Sequence, residues 1–366
     1  MDITKRVIEL AIQIQQIPAP TFQEEQRAAF MHDLFIEEGL LDAEIDSLGN
    51  VYARLPGKDE GRSIVVSAHT DTVFPLETDL SVKRESDRIY APGIGDNSLG
   101  LAGLLGLLWA LQEREIQLPG DLWLVANVGE EGLGDLCGMR VVVDRFGDSP
   151  LAYIILEGMA LGQIYHRGLG VQRYRITMET QGGHSWADYG VPSAIHELSA
   201  LVTKLTELSL PKNPRTTLNV GVISGGTSIN TIAPQASLEL DLRSEDPEAL
   251  QTLSQNVHAL VEEANQPKVQ ARAEIIGQRP TGEIPEDHPL VKLAKSALAE
   301  QRVQVHLSIG STDANIPLSR ELPAVTIGLT TGKKAHTSEE FIETEPLTKG
   351  LAQLATIVVG LFNTLS

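Results

Sequence analysis

The feature that most restricts the fold of this chain is a series of short, unbroken apolar runs. They are SIVVSA at 63–68, LWLVANV at 122–128 and AYIIL at 152–156, set between segments of helical periodicity. Runs of this length without polar alternation suit strands covered by helices on both faces. Two helical patterns, 3–17 and 22–38, precede them, parted by Pro18-Ala19-Pro20-Thr21, where proline stops one helix and Thr21 can cap the next. Strands are predicted at 50–55, 63–67, 121–128 and 151–156, with helices at 98–113 and 138–146. That alternation describes an α/β domain with a mixed, mostly parallel sheet between helices.

Near Gly170 the rhythm changes. The strand VQRYRITMET, a helix, the strands TTLNVGVIS and SLELDLRS, a second helix and the strand KVQARAEIIG follow in the order β-α-β-β-α-β. Their apolar and polar residues alternate, as in an antiparallel sheet with one wet face, so 170–273 reads as an inserted α+β domain. The first pattern resumes with a helix at 289–301, strands at 303–307 and 324–327 and a helix at 346–364. The larger domain is therefore discontinuous, comprising 1–169 and 274–366.

Composition narrows the function. With 29 Lys+Arg against 49 Asp+Glu the net charge is −20, which offers no general field for phosphate backbones, so neither nucleic acid nor an anionic membrane is an expected partner. The apolar stretch 99–108 is about half the ~20 residues of a membrane span. The N-terminus lacks the pattern of a signal peptide, and the single Cys137 allows neither an internal disulfide nor a cysteine metal cluster. A cytoplasmic location is the expectation. Cys137 reads as a small helix residue, not a nucleophile.

Ligand-type residues recur at the carboxyl ends of the predicted strands, where open α/β sheets place their sites. His69 ends the first apolar run, with Asp71 two residues on. The pair suits a metal ligand with its orienting carboxylate, or a strand end hydrogen-bonded to its loop. Asp96 lies in a glycine-rich loop before an apolar helix, where Asp96, Asn97 or Ser98 could simply cap the helix. Glu130 and Glu131 end a buried strand side by side, which calls for a cation, a proton or full solvation. Glu157 ends a further strand, and His336 follows the strand at 324–327. Each has a plain local explanation. Together they are two histidines and three carboxylates without thiolates, plus one spare glutamate, a set suited to two zinc ions, with cobalt or manganese as alternatives. A carboxylate bridging two such ions would hold a water of lowered pKa, and the spare glutamate could act as general base in hydrolysis of an amide.

The succession SAHTDTV, GIGDNSLG, GEEGLG, ILEG, GGHSW and AHTSEEF resembles the dinuclear zinc peptidases and deacylases that include carboxypeptidase G, aminoacylase, acetylornithine deacetylase, succinyl-diaminopimelate desuccinylase and tripeptidase T. The resemblance spans nearly the whole chain. It implies that His69 and Glu157 bind one metal, Glu131 and His336 the other, and that Asp96 bridges them. Asp71 would orient His69, and Glu130 would be the catalytic base. The family often has two aspartates where this chain has Asp96-Asn97, and the bond between them is commonly cis.

The resemblance further implies that the inserted domain is a lid or dimerisation domain. His184 would reach the partner's active site in a homodimer and stabilise the oxyanion. Asn230 and Arg243 fall where related enzymes hold the substrate's carboxylate or carbonyl; Arg243 could instead pair with Glu245 or Asp246. Ser311 and Thr312 lie in a sequence resembling the glycine-rich substrate loop. Glutamate at position 157 favours the carboxypeptidase and deacylase branch, with a tripeptidase-like aminopeptidase as the alternative and a non-catalytic metal-binding dimer as a reading of another class.

Overall fold

The computed structural model describes residues 2–58 and 61–364. The chain forms two compact units, Met1–Gly168 with Gly282–Ser366, and Leu169–Thr281. The smaller unit extends beyond position 273, because its last strand, Val269–Arg279, pairs along its whole length with Gly170–Thr180.

Among the described residues, the larger unit holds a nine-stranded sheet. At its centre Asp121–Asn127, Ser63–His69, Pro150–Glu157 and Ala324–Gly328 run parallel to one another. Val51–Leu55 and Leu41–Ile45 extend one edge antiparallel. On the other side Gln163–Gly168 pairs antiparallel with Ala324–Gly328 and parallel with His306–Gly310. The apolar runs are the central strands: Ile64, Val65, Val66, Leu124, Val125, Ile154 and Ile155 are fully buried. Several expectations change here. Leu41–Ile45 and Gln163–Gly168 are strands that the sequence reading passed over, and the late strand is His306–Gly310 instead of 303–307. The helix after Pro20 starts at Glu25 with Glu24 in the cap position and no side-chain cap; Thr21 lies three residues earlier, and its hydroxyl donates to Asp71 at 2.9 Å.

The leucine-rich helix Leu99–Glu113 is the core of this unit, buried from Leu99 through Leu111. With the residues before it, the stretch Ile94–Glu113 is long and apolar enough to cross a membrane, longer than the 99–108 read from sequence, but 94% of its most apolar 18-residue window is buried inside the molecule. Its role here is that of a core helix.

A second, small antiparallel sheet orders Gly332–Lys333, Phe341–Glu343, Arg88–Tyr90 and Lys83–Arg84. It joins the segment carrying His336 to the segment leading into Asp96. The smaller unit is a four-stranded antiparallel sheet in the order Thr216–Gly225, Gln235–Ser244, Gly170–Thr180, Val269–Arg279. Helices Ala194–Thr206 and Pro247–Glu263 pack on its apolar face through Leu198, Leu201, Leu253 and Val257.

Candidate metal centre

Three of the central strands deliver ligand-type side chains at their carboxyl ends. His69 is the last residue of its strand, Glu157 the last of the next, and Glu130 and Glu131 follow Asn127 by a few residues. Asp96 lies in the irregular turn Ile94–Ser98, whose φ/ψ at Asp96 and Asn97 are not helical and whose Asp96–Asn97 bond is cis. No side chain of this turn caps the following helix, so the capping role weighed for Asp96, Asn97 and Ser98 is not the one they have. His336 adopts a left-handed conformation (φ 64°) between the small strands Gly332–Lys333 and Phe341–Glu343.

These segments converge on Asp96. Its Oδ1 lies 3.1 Å from His69 Nε2 and its Oδ2 lies 3.0 Å from His336 Nε2. His69 Nε2 is also 3.9 Å from Glu157 Oε2, and His336 Nε2 is 3.0 Å from Glu131 Oε1. One atom each of His69, Asp96 and Glu131 lie within 4.8 Å of one another, a grouping able to hold a metal ion.

The electrostatics of this cluster call for a cation. Burial, followed by the charges of Asp96, Glu130 and Asp313, drives the Glu157 carboxyl well above its ordinary range, with the His69 charge opposing. Burial also resists ionisation of Asp96, but hydrogen bonds from His336 and His69 overcome it and hold the carboxyl far below its usual value. His336 is raised to about 10 by its hydrogen bonds to Asp96 and Glu131, against its partial burial. His69 is raised well above its ordinary value although its burial acts the other way, because Asp71 and Asp96 both accept from it. Divalent ions among these carboxylate oxygens and imidazole nitrogens would offset the same crowding of negative charge. The donor set fits the metal centre expected from the sequence.

The description of peptidase family M20/M25/M40 matches residues 65–359. The chain belongs to this family. It is an enzyme, a hydrolase of the M20 peptidases and amidohydrolases. It is 27% identical to the acetylornithine deacetylase of Photorhabdus laumondii over 83% of this chain and 82% of that one. A Staphylococcus aureus tripeptidase structure superposes with a TM-score of 0.82 at 23% identity, covering 98% of this chain and 99% of that one. The Bacillus subtilis YXEP protein, described as a dinuclear metal-binding peptidase of the M20 family, superposes with a TM-score of 0.71 at 19% identity and 99% coverage of both chains.

In this M20 chain Asp71 organises the centre from behind. Its Oδ1 accepts from the Glu130 N–H at 3.0 Å and its Oδ2 from the Glu131 N–H at 2.8 Å. The His69 Nδ1 faces Asp71 as well, 3.1 Å from its backbone oxygen and 3.3 Å from Oδ1, which turns Nε2 toward Asp96. Burial works against the Asp71 charge, but His69 and the two N–H groups outweigh it and hold the carboxyl below its ordinary value. Beneath lies the buried Arg27, which donates to the carbonyls of Thr70 and Ile17. Glu24 accepts from the Gly129 N–H at 3.2 Å.

Several of these supporting residues were not found by sequence reasoning. Glu340, fully buried, accepts from the N–H groups of Gly93, Gly95 and Asp96, and burial followed by the Asp96 charge raises its carboxyl to about 7. Its neighbour Glu339 is exposed and pairs with Lys334. Nothing in the run SEEF separates the two. Asn127 donates to Asp313 at 2.7 Å, both side chains buried. Cys137 begins the helix Cys137–Phe146, and burial, then Asp71 and Glu24, push its thiol up, which suits a packing residue.

The expected substrate contacts lie as follows. His184, exposed in the smaller unit, accepts at Nδ1 from the N–H groups of Trp186 and Ala187 at 3.2 and 3.3 Å, so the neutral ring carries its proton on Nε2. The Asn230 carbonyl accepts from the Ser185 N–H at 3.0 Å, and its side chain from the Ser228 hydroxyl. Arg243 pairs with Asp241 at 2.8 Å, two residues along its own strand, not with Glu245 or Asp246. Asp246 instead caps the helix Pro247–Glu263. In the larger unit the Thr312 hydroxyl meets that of Thr326 at 2.7 Å, and its N–H donates to Asn315; Ser311 precedes it in the same loop.

Proposed function

We propose that this chain hydrolyses an amide bond of a short peptide or an N-acyl amino acid with two divalent metal ions. The observation that carries the reading is the splitting of one carboxylate, Asp96, between two histidines from distant segments, each with its own glutamate. His69 and Glu157 would hold one ion, Glu131 and His336 the other, with Asp96 between them. Zinc is favoured, and cobalt or manganese suits the same donors. When bound, the ions supply Lewis acidity toward a water and the scissile carbonyl.

The chain's own residues supply the rest. Glu130, its backbone fixed by Asp71, accepts the proton from the attacking water and returns it to the departing amine as the C–N bond breaks. His184, with its proton on Nε2, is suited to donate to the oxyanion of a partner subunit's substrate, a contact worth roughly 3 kcal/mol in the transition state. Asn230, Arg243, Ser311 and Thr312 are proposed to contact the substrate, with Asp241 holding the Arg243 guanidinium on the polar face of its strand.

The homodimer would form through the smaller unit. Its edge strand Thr216–Gly225 exposes Val222 and Ile223, and Trp186, Tyr189 and Ile229 are exposed nearby in sequence to His184 and Asn230. The cytoplasm is the proposed location.

Glu157 favours a carboxypeptidase or deacylase, in line with the acetylornithine deacetylase relative. The likeness to the tripeptidase structure supports aminopeptidase action as the second reading. A metal-loaded sample assayed against N-acetyl, N-succinyl and N-formyl amino acids beside di- and tripeptides separates them. Turnover of the acyl amino acids supports the first reading and turnover of tripeptides alone the second. A folded protein that binds no divalent ion and cleaves neither class overturns both.

A further inference from the structure

Two buried side chains that no step of the hydrolysis uses hold the Asp96 turn from opposite sides. The Asn97 amide nitrogen donates to the Leu156 carbonyl at 2.8 Å, and its amide oxygen accepts from the Gly158 N–H at 3.0 Å. Leu156 and Gly158 are the residues flanking Glu157. On the other side, Glu340 Oε2 accepts from the Gly93 N–H at 3.0 Å, and its Oε1 from those of Gly95 and Asp96 at 2.7 and 2.9 Å. Glu340 follows His336 by four residues in the same connection between Gly332–Lys333 and Phe341–Glu343.

The chemistry of each position is specific. At 97 the surroundings present one acceptor and one donor, and among residues of that shape only an amide meets both. A carboxylate there would face the Leu156 carbonyl oxygen with no proton between them. At 340 the surroundings present three donors, which two acceptor-only oxygens satisfy and one amide oxygen does not. Gly93, Gly95 and Asp96 lie at the start of the turn Ile94–Ser98, where N–H groups have no carbonyl of the same turn to bond. The packing around the turn is close. A Cβ at Gly100 would lie 2.0 Å from Asn97 Oδ1, and one at Gly158 2.1 Å from the Gly95 carbonyl.

We infer that Asn97 and Glu340 are positioning residues that divide the centre between them. Asn97 ties the bridging Asp96 to Glu157 and so sets one metal site; Glu340 ties it to the His336 segment and sets the other. The inference rests on the two-metal reading above and adds an assignment of one clamp to each ion. The departure from a second aspartate at position 97 becomes a requirement of this chain, since its amide makes a bond that an ionised aspartate cannot.

Calorimetric titration of the metal-stripped full-length protein with Co²⁺ tests this. His336→Ala leaves the Glu157 site to be measured alone, and Glu157→Ala leaves the His336 site; far-UV circular dichroism before metal addition confirms that each variant is folded. Asn97→Asp is expected to weaken Co²⁺ binding roughly tenfold or more in the His336→Ala background and to change it little in the Glu157→Ala background. Glu340→Gln is expected to do the reverse. The milder Asn97→Ser and Glu340→Asp serve where the first variants do not fold, with the same pattern expected. Equal weakening of both sites by either substitution, or none by both, overturns the assignment while wild-type binding of two ions leaves the two-metal reading standing. Wild-type binding of fewer than two ions overturns that reading and the assignment with it.

Discussion

Glu130 and Glu131 are adjacent, and one carboxylate, Asp71, takes both of their backbone N–H groups. The two have different proposed roles: Glu131 meets His336 at 3.0 Å, and Glu130 is the proposed base. Glu130→Gln, which keeps the shape and removes the base, is expected to lower kcat about 10²- to 10⁴-fold while bound metal per chain stays at the wild-type value. Activity close to wild type would remove Glu130 as the base. A second residue-scale prediction concerns Asp241. Burial disfavours its charge, but Arg243 and Arg173 outweigh burial and hold the carboxyl below its ordinary value. A lowered folded-state pKa stabilises the protein above the unfolded value, and that contribution is lost as pH falls through the folded one. Asp241→Asn is therefore expected to destabilise by up to about 1 kcal/mol at neutral pH, with the gap to wild type closing below about pH 4. Urea unfolding across that range measures it, and a gap independent of pH would refute the linkage. At this scale His69, Glu130, Glu131 and Glu157 were legible because each ends or closely follows an apolar run, whereas Asp96 and His336 lie in loops. Glu340 was not legible, because its burial beside exposed Glu339 depends on chain some 240 residues away.

Among elements, the central strands could be read because continuous burial leaves a continuous apolar run. The strands missed are those with weaker signatures. Leu41–Ile45 is an edge strand with mostly exposed residues, and Arg88–Tyr90 and Phe341–Glu343 are too short to show any period. Yet these two short strands, paired antiparallel, bring the His336 segment alongside the one leading to Asp96. Close approach of the helix Leu347–Thr364 sets another condition that periodicity does not reveal. A Cβ at Gly350 would lie 1.8 Å from the Leu329 carbonyl oxygen, a backbone atom that cannot swing aside. Alanine would gain roughly 1 kcal/mol in helix propensity, against about 1–3 kcal/mol for overpacking. The clash is expected to prevail, so Gly350→Ala should lower Tm in a thermal scan; an unchanged or raised Tm would show that the helix can shift.

At the scale of the whole molecule, the net charge of −20 divides into two populations. Asp71, Asp96, Glu130, Glu131 and Glu157 are gathered at one centre, with Glu24, Asp313 and Glu340 buried beside them, and most of the other acids lie elsewhere in the chain. The smaller unit carries its own prediction. Val222 lies exposed on the edge strand, so Val222→Glu is expected to shift the protein from dimer to monomer in sedimentation velocity and to reduce turnover if His184 acts across the dimer. A wild-type protein that sediments as a monomer and is fully active would remove the dimeric reading. Sequence alone determined the α/β class, the inserted antiparallel sheet and the kinds of residue at the strand ends, because burial and hydrogen-bonding period are written locally in the order of apolar and polar side chains. Only the tertiary structure decided which of those residues meet. His336 lies 205 positions from Glu131 and approaches it to 3.0 Å, and Asn97 clasps the residues on either side of Glu157. Such contacts depend on where separate segments are packed, and no local pattern of side chains records that distance.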